Sequence, residues 1–307
     1  MTLQQLQYIV AIAEHRHFVR AADACGVTQS TLSSMVKSLE NELDAVIFDR
    51  KAHPVRPTEI GEKIIEKARV VLFNAEQLSE MTAEEKGVGQ GKINMGIIPT
   101  VSPYLLPGIV RRLAEYPGLS IKFSEARTEA VVDALKKAEI DIGILATPLH
   151  DSELLEIPVY HEKFYAYVTP GDPLYDSDVI DPRMLPGDNL WVLQEGHCFR
   201  NQIEGFCELA RKHSAVYESG SIDTLLRVLD MNGGHTIIPQ MHLEYLSDLR
   251  MKNVRKIGIP EPEREISLVI RKDYVRERFL NIISDIIKTI VPDDMLDSRI
   301  KKFKIRL

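Results

Sequence analysis

Three cysteines stand in the chain, Cys25, Cys198 and Cys207. A buried cysteine is usually an inert small hydrophobe, and Cys25, in a turn between two helical stretches, reads as one. Cys198 has different neighbours: His197 and Arg200 supply positive charge, and Gly196 allows a helix to begin beside it. Cations and a helix N-terminus both stabilise a thiolate, the form that attacks a peroxide oxygen. The product is a sulfenic acid, which condenses with a nearby thiol to a disulfide. The interval to Cys207 is not the C-x-x-C of a thioredoxin. Elsewhere, the hydroxyls of Thr100 and Thr128 can hold a small polar ligand, and Arg264 can stabilise developing anionic charge. From their own neighbours alone these three read as structural threonines and a surface arginine.

Other chemistries lack their residues. No H-E-x-x-H and no zinc-finger spacing occurs, so no metal is expected. No G-x-S-x-G or Walker sequence is present, no catalytic triad is visible, and no cofactor is expected.

A second group of polar residues sits among helices. His17-Phe18-Val19-Arg20-Ala21-Ala22-Asp23-Ala24 predicts a short helix whose alanine pair admits a close neighbour. Cys25-Gly26-Val27 predicts a tight turn with Gly26 left-handed. Thr28 then stands as an N-cap, and Leu32, Val36 and Leu39 repeat at helical spacing. Ahead of them Leu3, Leu6, Val10 and Ala13 form an apolar helical face. Helix, glycine turn and capped helix make a helix-turn-helix. The exposed face of its last helix offers Thr28, Gln29, Ser30, Thr31, Ser33, Ser34 and Lys37, short enough to reach base edges and phosphates in a major groove. The loop from Arg50 to Pro57 brings Arg50 and Arg56 with two prolines, suited to a wing on the phosphate backbone.

Thr58 can cap the next helix, along which Ile60, Ile64, Ala68, Val71, Ala75, Leu78 and Met81 recur to about Glu85. At roughly 1.5 Å per residue this helix is about 40 Å long, and its seam predicts association between two subunits. A dimer presents two reading heads to one DNA site. Gly87-Val88-Gly89-Gln90-Gly91-Lys92 follows a helix and precedes a strand, the reverse of a phosphate-cradling loop, so residues 87–92 are read as a hinge. From residue 93 strands and helices alternate: 93–98, 104–116, 119–124, 129–138 and 140–146. That order predicts a mostly parallel sheet covered on both faces. The runs 164–168, 190–193 and 236–239 suggest a second such unit, and 266–270 with a helix over 277–290 returns to the first. Two lobes with a cleft usually bind something small.

The predicted fold class is α/β. Residues 1–58 are a winged helix-turn-helix and 59–86 a dimerising linker helix. Residues 93–298 are a two-lobed, periplasmic-binding-protein-like regulatory domain with mostly parallel sheets. Lobe I takes about 93–160 and 268–298, lobe II about 161–267, and 299–307 form a basic tail.

Composition fits such a chain. At 307 residues, 44% hydrophobic and 27% charged, it suits a globular protein of two or three domains. No apolar run is long enough to span a membrane and no secretory signal is visible, so a cytoplasmic location is expected. The net charge of −7 hides a pattern: residues 1–70 carry nine basic and nine acidic groups, and residues 299–307 five basic groups and no acidic ones. The acidic excess lies between them, so net charge does not exclude nucleic acid. The tail is read as solvated.

Glu14-His15-Arg16-His17-Phe18 through Ala21-Ala22, Gln29-Ser30-Thr31-Leu32-Ser33 and Leu39-Glu40 resemble the LysR-type transcriptional regulators. Glu139-Ile140-Asp141-Ile142-Gly143-Ile144 resembles a strand of that family's effector domain, and the resemblance covers essentially the whole chain. Within the family, Gly196-His197-Cys198-Phe199-Arg200-Asn201-Gln202 with Gly205-Phe206-Cys207 is similar to the redox segment of the peroxide-sensing members. Ile98-Pro99-Thr100-Val101 with Pro103-Tyr104-Leu105-Leu106-Pro107 strengthens that match. The resemblance implies that Cys198 reacts with hydrogen peroxide and Cys207 resolves it as a reversible intramolecular disulfide. It also implies that Thr100, Thr128, His197 and Arg264 line the peroxide site. Acidic Glu261 and Glu263 near Arg264 depart from the basic pair of the family. The implied partners are double-stranded DNA, hydrogen peroxide, further copies in a homodimer or homotetramer, a cellular disulfide reductant and RNA polymerase.

One conformational consequence follows. Phe199, Ile203, Phe206 and Ala210 fall at helical spacing, so the reduced segment is expected to be helical. On a continuous helix Cys198 and Cys207 would lie about 13–14 Å apart along the axis, whereas a disulfide needs Cα atoms within about 7 Å. The disulfide therefore requires refolding. Two other functions compete: a relative that binds a small metabolite in the cleft, and a thiol peroxidase, for which the helical N-terminal segment would have no purpose. The chain is read as a regulator and not an enzyme, and the missing signal argues against a periplasmic solute-binding protein.

Overall fold

The computed structural model describes residues 1–85, 91–182, 189–193, 221–259 and 261–306. They form two compact units. The first is the N-terminal helical part with the short stretches Lys136–Glu139 and Asp273–Val275, and the second is the rest.

The first unit begins with α1 (Leu3–His15), α2 (Phe18–Ala24) and α3 (Gln29–Glu42). Thr2 and Gln5 close a capping box on α1. Gly26, at φ +66°, ends α2 by donating to the Asp23 carbonyl, while Val27 donates to that of Ala22. Those two bonds are a Schellman closure, and they turn the chain into α3. Thr28 caps α3 by accepting from the Thr31 amide at 3.2 Å. The core gathers Leu6, Ile9, Ile12, Ala21, Ala22, Leu32, Val36 and Leu39. On α1 the buried stripe is therefore Leu6, Ile9 and Ile12, while Leu3 is exposed and Val10 and Ala13 only flank the core. This helix is apolar over much of its circumference, so period alone does not choose the stripe. Strands β1 (Phe48–Asp49) and β2 (Arg56–Pro57) pair antiparallel as the wing.

Helix α4 (Glu59–Glu85) follows, with the Gly61 amide donating to Thr58 Oγ1 at 3.0 Å. The predicted seam divides in two. Ala68 is buried and Ile64 packs on the head, whereas Ile60, Val71 and Leu78 are exposed. Ala75 is half-buried, and the side chain of Met81 lies outside the described residues.

The second unit opens with β3 (Gly91–Ile97), α5 (Ser102–Leu113), β4 (Leu119–Glu125), α6 (Thr128–Lys136) and β5 (Ile142–Thr147). Gly91 and Lys92, read as hinge, are thus strand residues, and residues 87–90 lie outside the described residues. Gly91 pairs with Leu119 of β4, which carries the ladder back past the apolar run. Gly96 lets α6 approach: a Cβ there would sit 2.7 Å from Ile140 Cδ1 and 2.8 Å from Val131 Cγ1.

Then come β6 (Leu154–Val168), β7 (Val179–Ile180), α7 (Ile222–Asn232), β8 (His235–Pro239), a 3-10 helix (Gln240–Tyr245), α8 (Asp248–Met251), β9 (Val254–Ile257), β10 (Glu263–Arg271), α9 (Glu277–Lys288) and α10 (Ser298–Lys302). The sheet order is β4-β3-β5-β10-β6-β9-β7, with β8 also on β6. Pairing is parallel at β4-β3-β5 and β7-β9, where helices return the chain between strands. Strands β6 and β10 pair antiparallel with each other and with their other neighbours, because one carries the chain out and the other brings it back. Residues 154–163 of β6 pair with β10 and its last residues pair with β8 and β9, so this one strand serves both lobes.

The cations of the basic tail are exposed, but its isoleucines dock it. Asp297 caps α10, Ile300 is buried, and Asn281 of α9 exchanges two hydrogen bonds with the Ile305 main chain. Isoleucines interleaved with the cations give the segment an apolar side to bury.

Candidate functional site

On the reading head, Gln29, Ser30, Thr31, Ser34 and Lys37 are exposed along α3 and Ser33 is half-buried. Thr28 Oγ1 lies 2.9 Å from Ser30 Oγ and 2.8 Å from Thr31 Oγ1, a run of hydroxyls at the positive end of the helix. Arg56 is exposed on the wing. Arg50 is engaged: it pairs with Glu40 at 2.8 Å and lies 5.4 Å from the Phe18 ring centroid. Glu40 also accepts from the Ile47 amide at 2.8 Å and the Phe48 amide at 3.3 Å, so it ties α3 to the start of the wing. Sequence reasoning assigned Arg50 to phosphate and passed over Glu40.

In the second unit Thr100 follows β3 and Thr128 opens α6, both beyond the C-terminal ends of the parallel strands β3 and β4. Ligands in open α/β sheets bind at that edge. Thr100 is buried and Thr128 half-buried. Arg264 comes from β10 and is no surface arginine, being 2% exposed. Its Nη1 donates to Thr100 Oγ1 and its Nη2 to the Thr100 carbonyl, each at 3.0 Å. The structure brings these two predicted residues together. His197, Cys198 and Cys207 lie outside the described residues, as does the predicted helix over 199–210.

A guanidinium this deep needs a counter-charge. Glu162 of β6 supplies it, with Oε1 2.7 Å from Arg264 Nε and 2.6 Å from Nη2. Its Oε2 accepts from the Met241 amide at 3.2 Å, at the start of the 3-10 helix. At the next residue, Tyr104 Oη lies 2.9 Å from Nδ1 of buried His242. Burial lowers the His242 pKa from its ordinary value, and burial first and the Glu162 charge second raise that of Tyr104. Tyr160, also buried, is pushed up by the same two causes.

Sequence reasoning missed Glu162, Tyr104 and His242 as partners in this cluster. A signal for the first was present. Tyr160, Glu162, Phe164, Ala166 and Val168 alternate along β6, so a carboxylate occupies an inward position of an otherwise apolar series.

The head, its wing, the long helix and the two-lobed α/β unit define a two-part regulator of the LysR type. Residues 3–62 match the bacterial regulatory helix-turn-helix protein, lysR family, and residues 86–287 match the LysR substrate binding domain. The chain belongs to the LysR family of DNA-binding transcriptional regulators. It is 34% identical over 301 residues to the hydrogen peroxide-inducible genes activator of Haemophilus influenzae, covering 95% of this chain and 99% of that one. It is similar to a full-length cysteine-to-aspartate variant of OxyR from Pseudomonas aeruginosa, with TM-score 0.83 and 30% identity, covering 97% and 98% of the two chains. It also resembles a cysteine-to-serine variant of Corynebacterium glutamicum OxyR with hydrogen peroxide bound, with TM-score 0.61 and 26% identity, covering 94% and 92%.

Proposed function

We propose that this regulator senses hydrogen peroxide through Cys198 and converts the signal into a reversible Cys198–Cys207 disulfide. The observation that carries the reading is the buried Arg264 guanidinium fixed on both oxygens of Thr100 at the edge of the parallel strands. Oriented N–H groups there would stabilise the charge that moves to the leaving oxygen as the thiolate attacks. Peroxide accepts and donates hydrogen bonds through two small oxygens, which suits a hydroxyl beside a guanidinium. Thr128 and His197 would complete the contacts.

One sulfur–oxygen bond forms as the peroxide bond breaks, leaving a sulfenic acid on Cys198 and releasing water once the departing oxygen is protonated. Attack by the Cys207 thiol then expels a second water and leaves the disulfide, which a cellular dithiol reduces again. The continuous helix that the spacing of Phe199, Ile203 and Phe206 predicts for the reduced segment cannot hold that bond, and on this reading refolding is the signal passed to the DNA heads.

The exposed Ile60, Val71 and Leu78 on α4 support a homodimer, and tetramers are the larger assembly we expect. An apolar groove of about 350 Å³ on the same unit, lined in part by Met1, Leu43, Ile64 and Val71, would be covered there. The chain acts as a switch rather than a catalyst, working in the cytoplasm on double-stranded DNA and RNA polymerase. Footprinting on an inverted repeat, reduced against oxidised, tests the proposal. A change in the protected length on oxidation supports it, and identical footprints at complete disulfide formation refute it.

A further inference from the structure

We infer that Glu162 sets the ligand class of the Thr100–Arg264 site: it cancels the arginine charge and leaves a site for a small uncharged hydrogen-bonding molecule, closed to anions. The inference rests on the peroxide reading for the identity of that molecule.

Arg264 and Glu162 have fully buried side chains, and one carboxylate oxygen receives both Nε and Nη2. The second oxygen is held by the Met241 amide, so the carboxylate cannot swing away. Of the other groups that act on this cluster, Asp223 and Arg250 bear on His242 with opposite charges. Tyr104 and Tyr160 are buried phenols, and His242 is buried against the Tyr104 hydroxyl with its pKa lowered. The guanidinium therefore meets a ligand as an oriented set of N–H donors in a locally neutral cluster. An anion entering there would lose its hydration without facing a net positive charge, which is costly. Hydrogen peroxide is uncharged at neutral pH and loses far less.

Thr100 fits the same assignment. Its Oγ1 accepts from Arg264, so its own O–H is the donor it has to offer. A neutral peroxide oxygen can accept from that hydroxyl. Glu162 is thus a specificity-determining residue acting through Arg264, not a group that touches the reacting atoms.

The test compares sodium formate with sodium gluconate at constant ionic strength on the full-length reduced chain. Melting temperature and the rate of Cys198 thiol loss to peroxide are both followed. In the wild-type chain the two anions are expected to act alike. Glu162→Gln keeps the shape but leaves the guanidinium charge uncompensated, so formate should raise the melting temperature saturably and slow thiol loss several-fold, while the bulkier gluconate does neither. Replacing both partners, Glu162→Gln with Arg264→Gln, should restore indifference to formate. A folded Glu162→Gln chain that ignores formate overturns the inference. So does saturable stabilisation of the wild-type chain by formate that Arg264→Gln abolishes, an outcome readable even if Glu162→Gln fails to fold. A wild-type Cys198 indifferent to peroxide would defeat the peroxide reading alone, since melting reports the charge of the site without it.

Discussion

Arg264 grips Thr100 with two nitrogens at once, Nη1 on the side-chain oxygen and Nη2 on the main-chain carbonyl, each at 3.0 Å. A lysine in its place could reach one oxygen but not both, because only the planar guanidinium presents donors in a fork. The pair joins β10 to the end of β3 and fixes a hydroxyl at the strand edge.

Thr100→Val keeps the shape and removes the hydroxyl. The loss of one charge-assisted hydrogen bond, about 1.5–3 kcal/mol, should slow Cys198 oxidation by roughly 10–100-fold. Stopped-flow consumption of thiol by peroxide reads this directly. An unchanged rate in a folded variant would remove Thr100 from the site.

Exposed cations on the head should act through phosphate. Lys37→Ala and Arg56→Ala are each expected to weaken binding to specific and random duplex alike and to flatten the log K against log salt line by about one unit. Arg50→Ala should instead lower the melting temperature of the head, since Arg50 braces the wing through Glu40. Fluorescence anisotropy across a salt series and thermal unfolding separate the two behaviours.

Much of the head was legible because its signals are local. Gly26 must be left-handed, Thr28 has an amide to accept, and Leu32, Val36 and Leu39 share one face. The α1 stripe was misplaced because Leu3, Leu6, Ile9, Val10, Ile12 and Ala13 satisfy more than one helical phase. The pairing of Arg264 with Thr100 could be named only through the family resemblance. The two are 164 positions apart, and no short-range pattern records a contact made by sheet order. Glu162 was overlooked for a different reason: the last residues of β6 were read as a strand of their own, so its inward phase went unnoticed. The tail's cations are exposed as their charge suggested, but its docking was missed although Ile300 and Ile305 carried the apolar pattern for it.

Gly26→Ala tests the turn between α2 and α3. A Cβ there would meet nothing within 4 Å, so the whole cost is the left-handed backbone at φ +66°. About 1–2 kcal/mol of stability should be lost, measured by denaturant unfolding. A neutral substitution would mean that the turn relaxes to another conformation.

Leu78→Glu places a charge on the exposed stripe of α4, where Leu78 is 67% accessible. It should leave the monomer fold intact and shift sedimentation toward monomer, with cooperative binding to paired half-sites lost. Unaltered sedimentation would locate the dimer contact elsewhere.

Cys198 is expected to react first and Cys207 to resolve it. Intact-mass analysis with thiol trapping, before and after stoichiometric peroxide, addresses it in the wild-type, Cys198→Ser and Cys207→Ser chains. The wild-type chain should lose two trappable thiols with the mass of one disulfide. Cys207→Ser should gain one oxygen, trapped as a sulfenic acid at Cys198 and advancing to higher oxides. Cys198→Ser should remain fully reduced over the same interval. Equal sulfenic acid labelling of the two variants, or a wild-type chain that keeps all three thiols, would contradict it.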